Sequence, residues 1–311
     1  MKVYAPPDIQ TVTSALALEN LLLEDPAGEE GVLFCWSGER SVVMGKNQNP
    51  WKECNLDFIR SRSCKLARRV SGGGAVYHDP GNLNISWILP REEYRAEKIH
   101  GLLLRSLSTV GIEADMGTGG SLTVDGKKIS GSAFCYRKDR VLHHGTLLLD
   151  ADLGELRSAL SPSRFRLKTH AVASLPAPVV NLKQLKPEVK KAQIQESLFM
   201  EAETCFGALK RVDDLLPEER LDAEAARLGA DEWIWDMTPG FYSHISLPGD
   251  KALHFRVHKG KLQECRRGDT LIDLEEAPHF PDGDFRELEI QLGLSSGDLT
   301  KRVHDAGWVK V

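Results

Sequence analysis

The 311-residue sequence predicts a mixed α/β (α+β) protein with two domains. The first, over residues 1–235, is long enough to be a catalytic domain, and the second, over residues 236–311, is a small α+β accessory domain. Helix-like and strand-like hydrophobic periods alternate through the first part. After Trp233 the composition changes to prolines, histidines and short alternating stretches, which is typical of a separate small module.

The periodicity of apolar residues places the individual elements. Leucines and alanines recur at helical intervals in five segments, residues 12–24, 99–110, 153–160, 188–208 and 217–228. Strands are expected over residues 31–37, 41–44 and 65–89, the last of these interrupted by a glycine-rich turn. Between Leu83 and Leu89 apolar and polar residues alternate, which predicts a strand with one buried face. The dipeptide Asp125-Gly126 predicts a tight hairpin turn followed by a strand over residues 127–133.

Composition excludes several classes of protein. The formal net charge of −5 argues against a nucleic-acid-coating protein, and the acidic excess in residues 271–311 strengthens that expectation. No apolar run approaches the roughly 18 residues that span a bilayer, and the first eight residues include two prolines that break any signal-peptide core. A soluble, cytoplasmic protein without membrane contact is therefore expected, and nothing demands more than a monomer.

Six cysteines are scattered without a C-x-x-C pair, so they are expected to be reduced thiols, and no metal site is predicted. Residues 46–69 contain seven basic and two acidic side chains. Such a patch can receive phosphates or an acidic partner, or can be ordinary solvated surface.

The most unusual stretch is Arg68-Arg69-Val70-Ser71 followed by Gly72, Gly73 and Gly74, between two predicted strands. Three consecutive glycines cost backbone entropy, so a close approach of ligand to backbone N–H groups is the expected reason for them. The arginines would add charge-assisted contacts to phosphate oxygens. A flexible hairpin is the alternative.

A second stretch, residues 125–133, contains two adjacent lysines. A period of two places Lys128, Ser130 and Ser132 on one face of the strand and Ile129 on the other. With Ile129 in the core, Lys128 projects over very small side chains, where it could neutralise a carboxylate or a phosphoryl oxygen. Either lysine fits by pattern alone, and only the assignment of faces favours Lys128.

Two further candidates remain open at this stage. The adjacent His143 and His144 lie in a predicted strand and face opposite sides, so at most one of them reaches a given site. Cys135 follows the lysine strand closely and could be a nucleophile, with His143 or His144 as its base. A buried structural role is the alternative for each of them.

Taken together, these stretches resemble the ordered signature blocks of the lipoate-protein ligases. The blocks are Gly45 to Asn55, then Ala67 to Asp79 with Gly81-Asn82, then Lys128 to Ala133, and His143 to Leu148. Trp233-Ile234-Trp235 with Thr238 to Phe241 is similar to the family's junction with a small C-terminal domain. The resemblance implies the fold of biotin and lipoyl ligases, a mixed sheet with flanking helices.

The resemblance also implies a two-step reaction, in which ATP and lipoate give lipoyl-AMP and pyrophosphate, and the lipoyl group then passes to a lysine of an apo lipoyl domain. Mg²⁺ normally assists the first step. The acceptors would be the lipoyl domains of 2-oxoacid dehydrogenase complexes or the glycine cleavage H protein. By matching position, Lys128 is the expected catalytic residue. The residues expected to contact ATP are Arg69, Gly74, Ala75, Val76, Tyr77 and Lys128. Those expected to contact lipoate are Arg69, Ser71, Gly73, His78 and Lys128. His144 and Ser130 are expected to support the site residues.

One departure from the family pattern precedes the lysine hairpin. Gly119-Gly120-Ser121 stands where the family usually has Arg-Asn-Asp, which removes an acidic residue expected near the adenylate and magnesium. Two alternatives follow: an ATP-independent octanoyl or lipoyl transferase of the same fold that uses a Cys135 thioester, and a non-catalytic relative that binds lipoyl domains.

Overall fold

The computed structural model describes all of the chain except residues 9, 26–29, 162–166, 248–250, 273, 275–277, 282, 307 and 309–311. Part of the acidic C-terminal excess therefore lies outside the described residues. The described helices are α1 Val12–Glu24, α2 Pro50–Glu53, α3 Leu56–Ser61, α4 Ala96–Thr109, α5 Leu153–Ala159, α6 Leu182–Leu185, α7 Lys191–Phe206, α8 Glu218–Gly229, α9 Asp231–Ile234, α10 Arg286–Leu292 and α11 Asp298–Asp305, with one 3₁₀ turn at Thr118–Gly120.

The described strands form three sheets. Their bounds are β1 Lys2–Tyr4, β2 Val32–Trp36, β3 Ser41–Met44, β4 Lys65–Arg68, β5 Val76–His78, β6 Asn82–Pro90, β7 Asp115–Met116, β8 Leu122–Val124, β9 Lys127–Arg137, β10 Arg140–Leu148, β11 Lys168–Thr169, β12 Lys210–Arg211, β13 Phe241–Leu247, β14 Lys251–His258, β15 Lys261–Arg267 and β16 Thr270–Ile272.

The largest sheet is mixed and has the order β12-β1-β2-β6-β10-β9-β8-β7. Alternate residues of β2 enter two different apolar clusters: Leu33 and Cys35 pack with α4 and α7, whereas Phe34 and Trp36 pack with α1. Helices therefore cover both faces, and the expected mixed sheet with flanking helices is confirmed. All of β6 from Asn82 to Leu89 is buried, because Asn84 and Ser86 face the cavity described below and the apolar residues between them pack with α4.

Local chemistry explains the best-defined boundaries. Thr11 caps α1, since its side chain accepts a hydrogen bond from the backbone N–H of Ser14 at 3.2 Å. Asp125 and Gly126 both have positive φ, 49° and 73°, as the predicted tight turn requires. Helix α4 begins three residues before the predicted start.

The second sheet, β4-β3-β5, carries the glycine-rich turn between β4 and β5. The third sheet, β11-β13-β14-β15-β16, is largely C-terminal but takes β11 from the preceding part of the chain. One apolar cluster lies between these two sheets and joins Trp51 from the N-terminal part to Trp235, Phe241, Phe280 and Trp308. A C-terminal sheet is thus present, whereas the boundary between residues 235 and 236 stays a prediction. Every helix in the described part of the chain is too short or too polar to cross a membrane.

Candidate active site

A cavity of about 420 Å³ lies between α1, the glycine-rich turn, the polar face of the large sheet and residues 172–177. The glycine-rich turn and strand β9 reach it from different sheets. The sequence-predicted residues that line the cavity are Arg69, Gly73, Gly74, Ala75, Val76, His78, Lys128 and His144. The two separate stretches singled out in the sequence are therefore brought together.

Arg69 holds the glycine-rich turn in shape. Its guanidinium donates to the carbonyls of Val43 at 3.0 Å, Gly74 at 2.8 Å and Gly72, and its Nε donates to Ser71 Oγ at 2.9 Å. The side chain is buried, and burial lowers the pKa of Arg69 to about 10 against the opposing attraction of Glu19. Arg69 therefore stays charged at neutral pH, but most of its donors already have backbone or Ser71 partners.

The turn also packs closely against the segment that follows β3, residues 45–49. A Cβ atom at Gly45 would lie 2.2 Å from the carbonyl oxygen of Gly73, so only glycine allows this approach. Gln48 accepts a hydrogen bond from the Gly45 N–H and donates to Ser174 Oγ, each at 3.0 Å. Ser174 Oγ in turn accepts from the Ala75 N–H at 3.0 Å. Residues 172–177 are thereby fastened beside the glycine-rich turn.

Arg68, the neighbour of Arg69, faces the other way and is fully buried. It donates to the carbonyls of Lys46 at 2.9 Å and Gln48 at 2.8 Å on one side. On the other side it donates to Ile234 O and to Thr238 Oγ1. Two of the seven basic residues in the predicted patch are thus interior groups, and Arg68 joins the turn after β3 to the start of the C-terminal segment.

Lys128 provides a cation of a different kind. Its backbone pairs with Pro178 and Val180, yet no hydrogen bond or ion pair joins its ammonium to another described residue. Burial lowers the pKa of Lys128 from its ordinary value of 10.5. Lys127 is exposed and lies outside the cavity lining, so the choice of Lys128 over Lys127 agrees with the geometry.

The two faces of strand β9 nevertheless do not alternate simply along its length. The register between β8 and β9 shifts at Leu122/Thr123, and this interrupts simple alternation near Ile129. Lys128 lines the main cavity, whereas Ser130 lines a much smaller chamber on the α4 side of the sheet. Ser130 is therefore not on the same face of the site as Lys128, contrary to the prediction.

His144 belongs to a chain of hydrogen bonds at the base of the cavity. Its Nε2 lies 2.7 Å from Ser71 Oγ and its Nδ1 lies 2.8 Å from Glu19 Oε2. Glu19 also accepts a hydrogen bond from Ser86. Since a carboxylate accepts, the Nδ1–H of His144 donates to Glu19, and the Nε2 of His144 pairs with the Ser71 hydroxyl. His143 faces the opposite side and lines the small chamber, as expected for adjacent residues of a strand.

Three candidate residues from the sequence lie outside the cavity lining. The Tyr77 side chain packs in the cluster shared with the C-terminal sheet, and its hydroxyl donates to Glu155 Oε2 at 2.7 Å, so it does not reach the cavity. Ser71 acts beneath the turn through Arg69 and His144 rather than in the lining. Cys135 is buried against α1, where burial raises the pKa of its thiol. No cysteine is among the described residues that line the cavity.

The sequence reasoning missed Glu19, Trp36, Asn84 and Thr146, which all line the cavity. Glu19 had a detectable signal, because an acidic residue on the apolar face of α1 needs a partner to be buried. Asn84 lies on the polar side of the alternating strand β6, and the alternation alone predicts that this side faces solvent. Glu19 is the only carboxylate among the described lining residues, and these contain no cluster of three metal-ligating side chains.

Known proteins with the same features were found by sequence and by structure. A family model described as the lipoyl protein ligase A/B catalytic domain matches residues 11–203. Lipoate-protein ligase A of Bdellovibrio bacteriovorus is 34% identical over 281 residues, which cover 84% of this chain and 83% of that protein.

Solved structures share the fold. P. falciparum LipL1 in complex with lipoate has a TM-score of 0.65 at 24% identity, covering 86% of this chain and 84% of that one. A bipartite lipoate protein ligase from Thermoplasma acidophilum, described with its E2 lipoyl domain, has a TM-score of 0.62 at 22% identity, covering 75% and 95%. A lipoate-protein ligase A bound with ATP has a TM-score of 0.62 at 23% identity, covering 75% and 98%. By sequence and by the matched domain, the chain belongs to the lipoate-protein ligase family.

Proposed function

We propose that this protein is an ATP-dependent lipoate-protein ligase, with Lys128 as its catalytic residue. The observation that carries the proposal is the half-buried Lys128 ammonium, which has no acceptor among the described residues and shares its cavity with the glycine-rich turn. A partly desolvated cation that lines a cavity and has no protein partner is expected to meet an anionic ligand.

The first step joins two anions. A lipoate carboxylate oxygen attacks the α-phosphorus of ATP, the bond to the bridging oxygen breaks, and pyrophosphate leaves with its electron pair. Lys128 lowers the repulsion between the carboxylate and the α-phosphate and stabilises the charge that develops on the oxygens. The backbone N–H groups of Gly73 and Gly74 are the proposed phosphate contacts, held in position by Arg69.

The described residues that line the cavity offer magnesium no cluster of ligands. Glu19 is the one carboxylate among them, and it is already engaged by His144 and Ser86. Gly119-Gly120-Ser121 adds no acidic side chain at the cavity edge. Mg²⁺ is commonly held mainly by the phosphates of its nucleotide, and we propose that it arrives as Mg-ATP.

In the second step the ε-amine of an acceptor lysine attacks the acyl carbonyl, AMP leaves with the electron pair of the broken bond, and the amine loses a proton as the amide forms. Lys128 would then polarise the carbonyl oxygen. The proposed acceptors are apo lipoyl domains of 2-oxoacid dehydrogenase complexes or the glycine cleavage H protein. The cytoplasmic location and the monomeric state also stay predictions.

The test combines purified protein, an apo lipoyl domain, lipoate and Mg-ATP. Pyrophosphate release and a lipoyl mass increase on the acceptor are expected, and lipoyl-AMP should accumulate when the acceptor is omitted. Cys135→Ser should leave both rates within about twofold, because the thiol lies off the cavity. Acceptor modification from an octanoyl carrier protein without ATP, lost in Cys135→Ser, would instead identify a thioester transferase.

A further inference from the structure

The third sheet has one covered face and one exposed face. Its apolar residues, among them Phe241, Phe255 and Leu262, pack with helices α10 and α11. Successive side chains of a strand point to opposite faces, so the residues between them face outward. The outer face is formed by two neighbouring rows of cross-strand partners: Lys168, Tyr242, Arg256 and Glu264 in one row, and His244, His254, Arg266 and Leu271 in the other. All of them are exposed except Glu264, which is half-buried.

The outer face is basic and carries exposed apolar side chains. Its three basic side chains and one acidic side chain give it a formal net charge of +2, whereas the whole chain carries −5. Glu264 pairs with Arg266 at 2.7 Å, so the excess positive charge is that of Lys168 and Arg256. Tyr242 is 52% exposed and Leu271 is 57% exposed. Tyrosine and arginine are enriched at protein–protein interfaces, and opposite charges steer two protein surfaces together. The partner that fits the outer face is therefore a protein with an acidic surface.

The outer face lies close to the mouth of the cavity. Strand β11, which contributes Lys168, is followed along the chain by residues 172–177 of the cavity lining. Four residue steps separate Lys168 from Val172, and an extended chain covers at most about 14 Å over that length. Val172 and Leu175 line the cavity and are 43% and 88% exposed, so they mark where it opens to solvent. A small protein domain is about 30 Å across, so a domain seated over this opening also reaches the outer face.

We infer that the outer face of the third sheet is a docking surface for the acceptor protein, which it contacts through an acidic region beside the target lysine. This inference rests on the proposed function, which requires a protein whose lysine enters the cavity. While that lysine reaches the acyl carbonyl, the acidic region lies against Lys168 and Arg256, and the contact buries Tyr242 and Leu271. Charges at the edge of an interface mainly change the rate of association and its salt dependence. The outer face therefore affects acceptor binding and transfer, whereas lipoyl-AMP formation does not need it.

The experiment separates the acceptor protein from the small substrates. The full-length protein is titrated calorimetrically with an apo lipoyl domain, and the KM for that domain is measured in the complete reaction. Arg256→Glu and Arg266→Glu should each raise this KM and the Kd at least about fivefold, because each replaces an attraction with a repulsion. Pyrophosphate release from lipoate and Mg-ATP without acceptor should stay within about twofold of the wild-type rate. The wild-type affinity should fall as salt is raised from about 50 to 500 mM, and it should fall less steeply in the two variants.

The matched control is Lys301→Glu, since Lys301 is exposed on α11, the helix that packs against the covered face of the sheet. This variant makes the same change of charge and should leave the KM and the Kd for the lipoyl domain unchanged. Wild-type values in Arg256→Glu and Arg266→Glu, or an equal loss in Lys301→Glu, would overturn the inference while leaving the ligase activity in place.

The outcomes also separate the inference from the proposed function. If lipoate is not adenylated and the acceptor is not modified, the proposed function fails, and calorimetry still decides the inference. Binding of the lipoyl domain that is lost in Arg256→Glu supports the docking surface, whereas no binding to the wild-type protein overturns it. Binding of single-stranded RNA that is lost in Arg256→Glu, with lipoyl-domain binding unchanged, would also overturn it.

Discussion

Arg69 in the glycine-rich turn and Lys128 on β9 are two cations that line one cavity, Arg69 buried and Lys128 half-buried, and their surroundings differ. Arg69 donates to three backbone carbonyls and to Ser71, whereas the Lys128 ammonium has no partner among the described residues. A saturated guanidinium stabilises the shape of the turn, and an unsaturated ammonium is free to contact substrate. Nearness to the cavity therefore does not separate the two cations, but their hydrogen bonds do: those of Arg69 are used within the turn, and Lys128 is the proposed catalytic residue.

The largest expected effect is on activity at Lys128. Lys128→Ala should reduce lipoyl-AMP formation by a factor of about 10² to 10³, because a charge that stabilises the transition state is lost. Pyrophosphate release under saturating ATP measures it. The matched control is Lys127→Ala, expected to stay within about twofold; a comparable loss in both variants would remove the contrast between the two adjacent lysines.

Arg69 should instead affect stability and activity together. Arg69→Ala leaves several buried carbonyls without donors, and we expect the free energy of unfolding to fall by about 3 kcal/mol. Denaturant titration beside Lys128→Met measures the difference. Lys128→Met should be at least as stable as the wild type; equal stability of the Arg69→Ala and wild-type proteins would show that the turn holds its shape without Arg69.

A smaller effect is expected from the backbone contact that Arg69 supports. Gly45→Ala places a methyl group against the Gly73 carbonyl and should cost about 1 to 3 kcal/mol of stability and raise the KM for ATP. Gly72→Ala is the control, since no atom lies within 4 Å of its added Cβ and its φ is not positive. Equal behaviour of the two variants would mean that the close approach of Gly45 is not required.

The smallest effect concerns pH. Because burial lowers the pKa of Lys128 below 10.5, the rate of adenylation should fall as pH rises through that lowered pKa. The folded state also binds this proton more weakly than the unfolded state does, so the lysine destabilises the fold at neutral pH and less so as pH rises toward 10.5. The stability advantage of Lys128→Met should therefore shrink at alkaline pH, as measured by denaturant titration; a constant advantage would contradict this.

The sequence patterns predict the fold and part of the candidate site. The residues that they do not place correctly have physical explanations. The Asp125-Gly126 turn and the two signature stretches were visible because they need particular residue types. Ser130 was misplaced because a register shift between β8 and β9 has no marker in the local pattern. Tyr77 was expected near the nucleotide by position, yet its orientation depends on the C-terminal cluster. Asn84 and Trp36 become candidates only once the fold places β2 and β6 side by side at the cavity.

The aromatic cluster around Trp51 also has a consequence for the order in which the protein becomes competent during synthesis. Trp51 and Arg68 emerge from the ribosome early, but their partners at Trp235, Thr238 and Trp308 emerge much later. Domains generally fold as units once their chain is synthesised. Until these residues emerge, Arg68 lacks its acceptors at Ile234 and Thr238, and the turn after β3 lacks its anchor. The side of the cavity formed by the glycine-rich turn is therefore expected to be completed only late in synthesis.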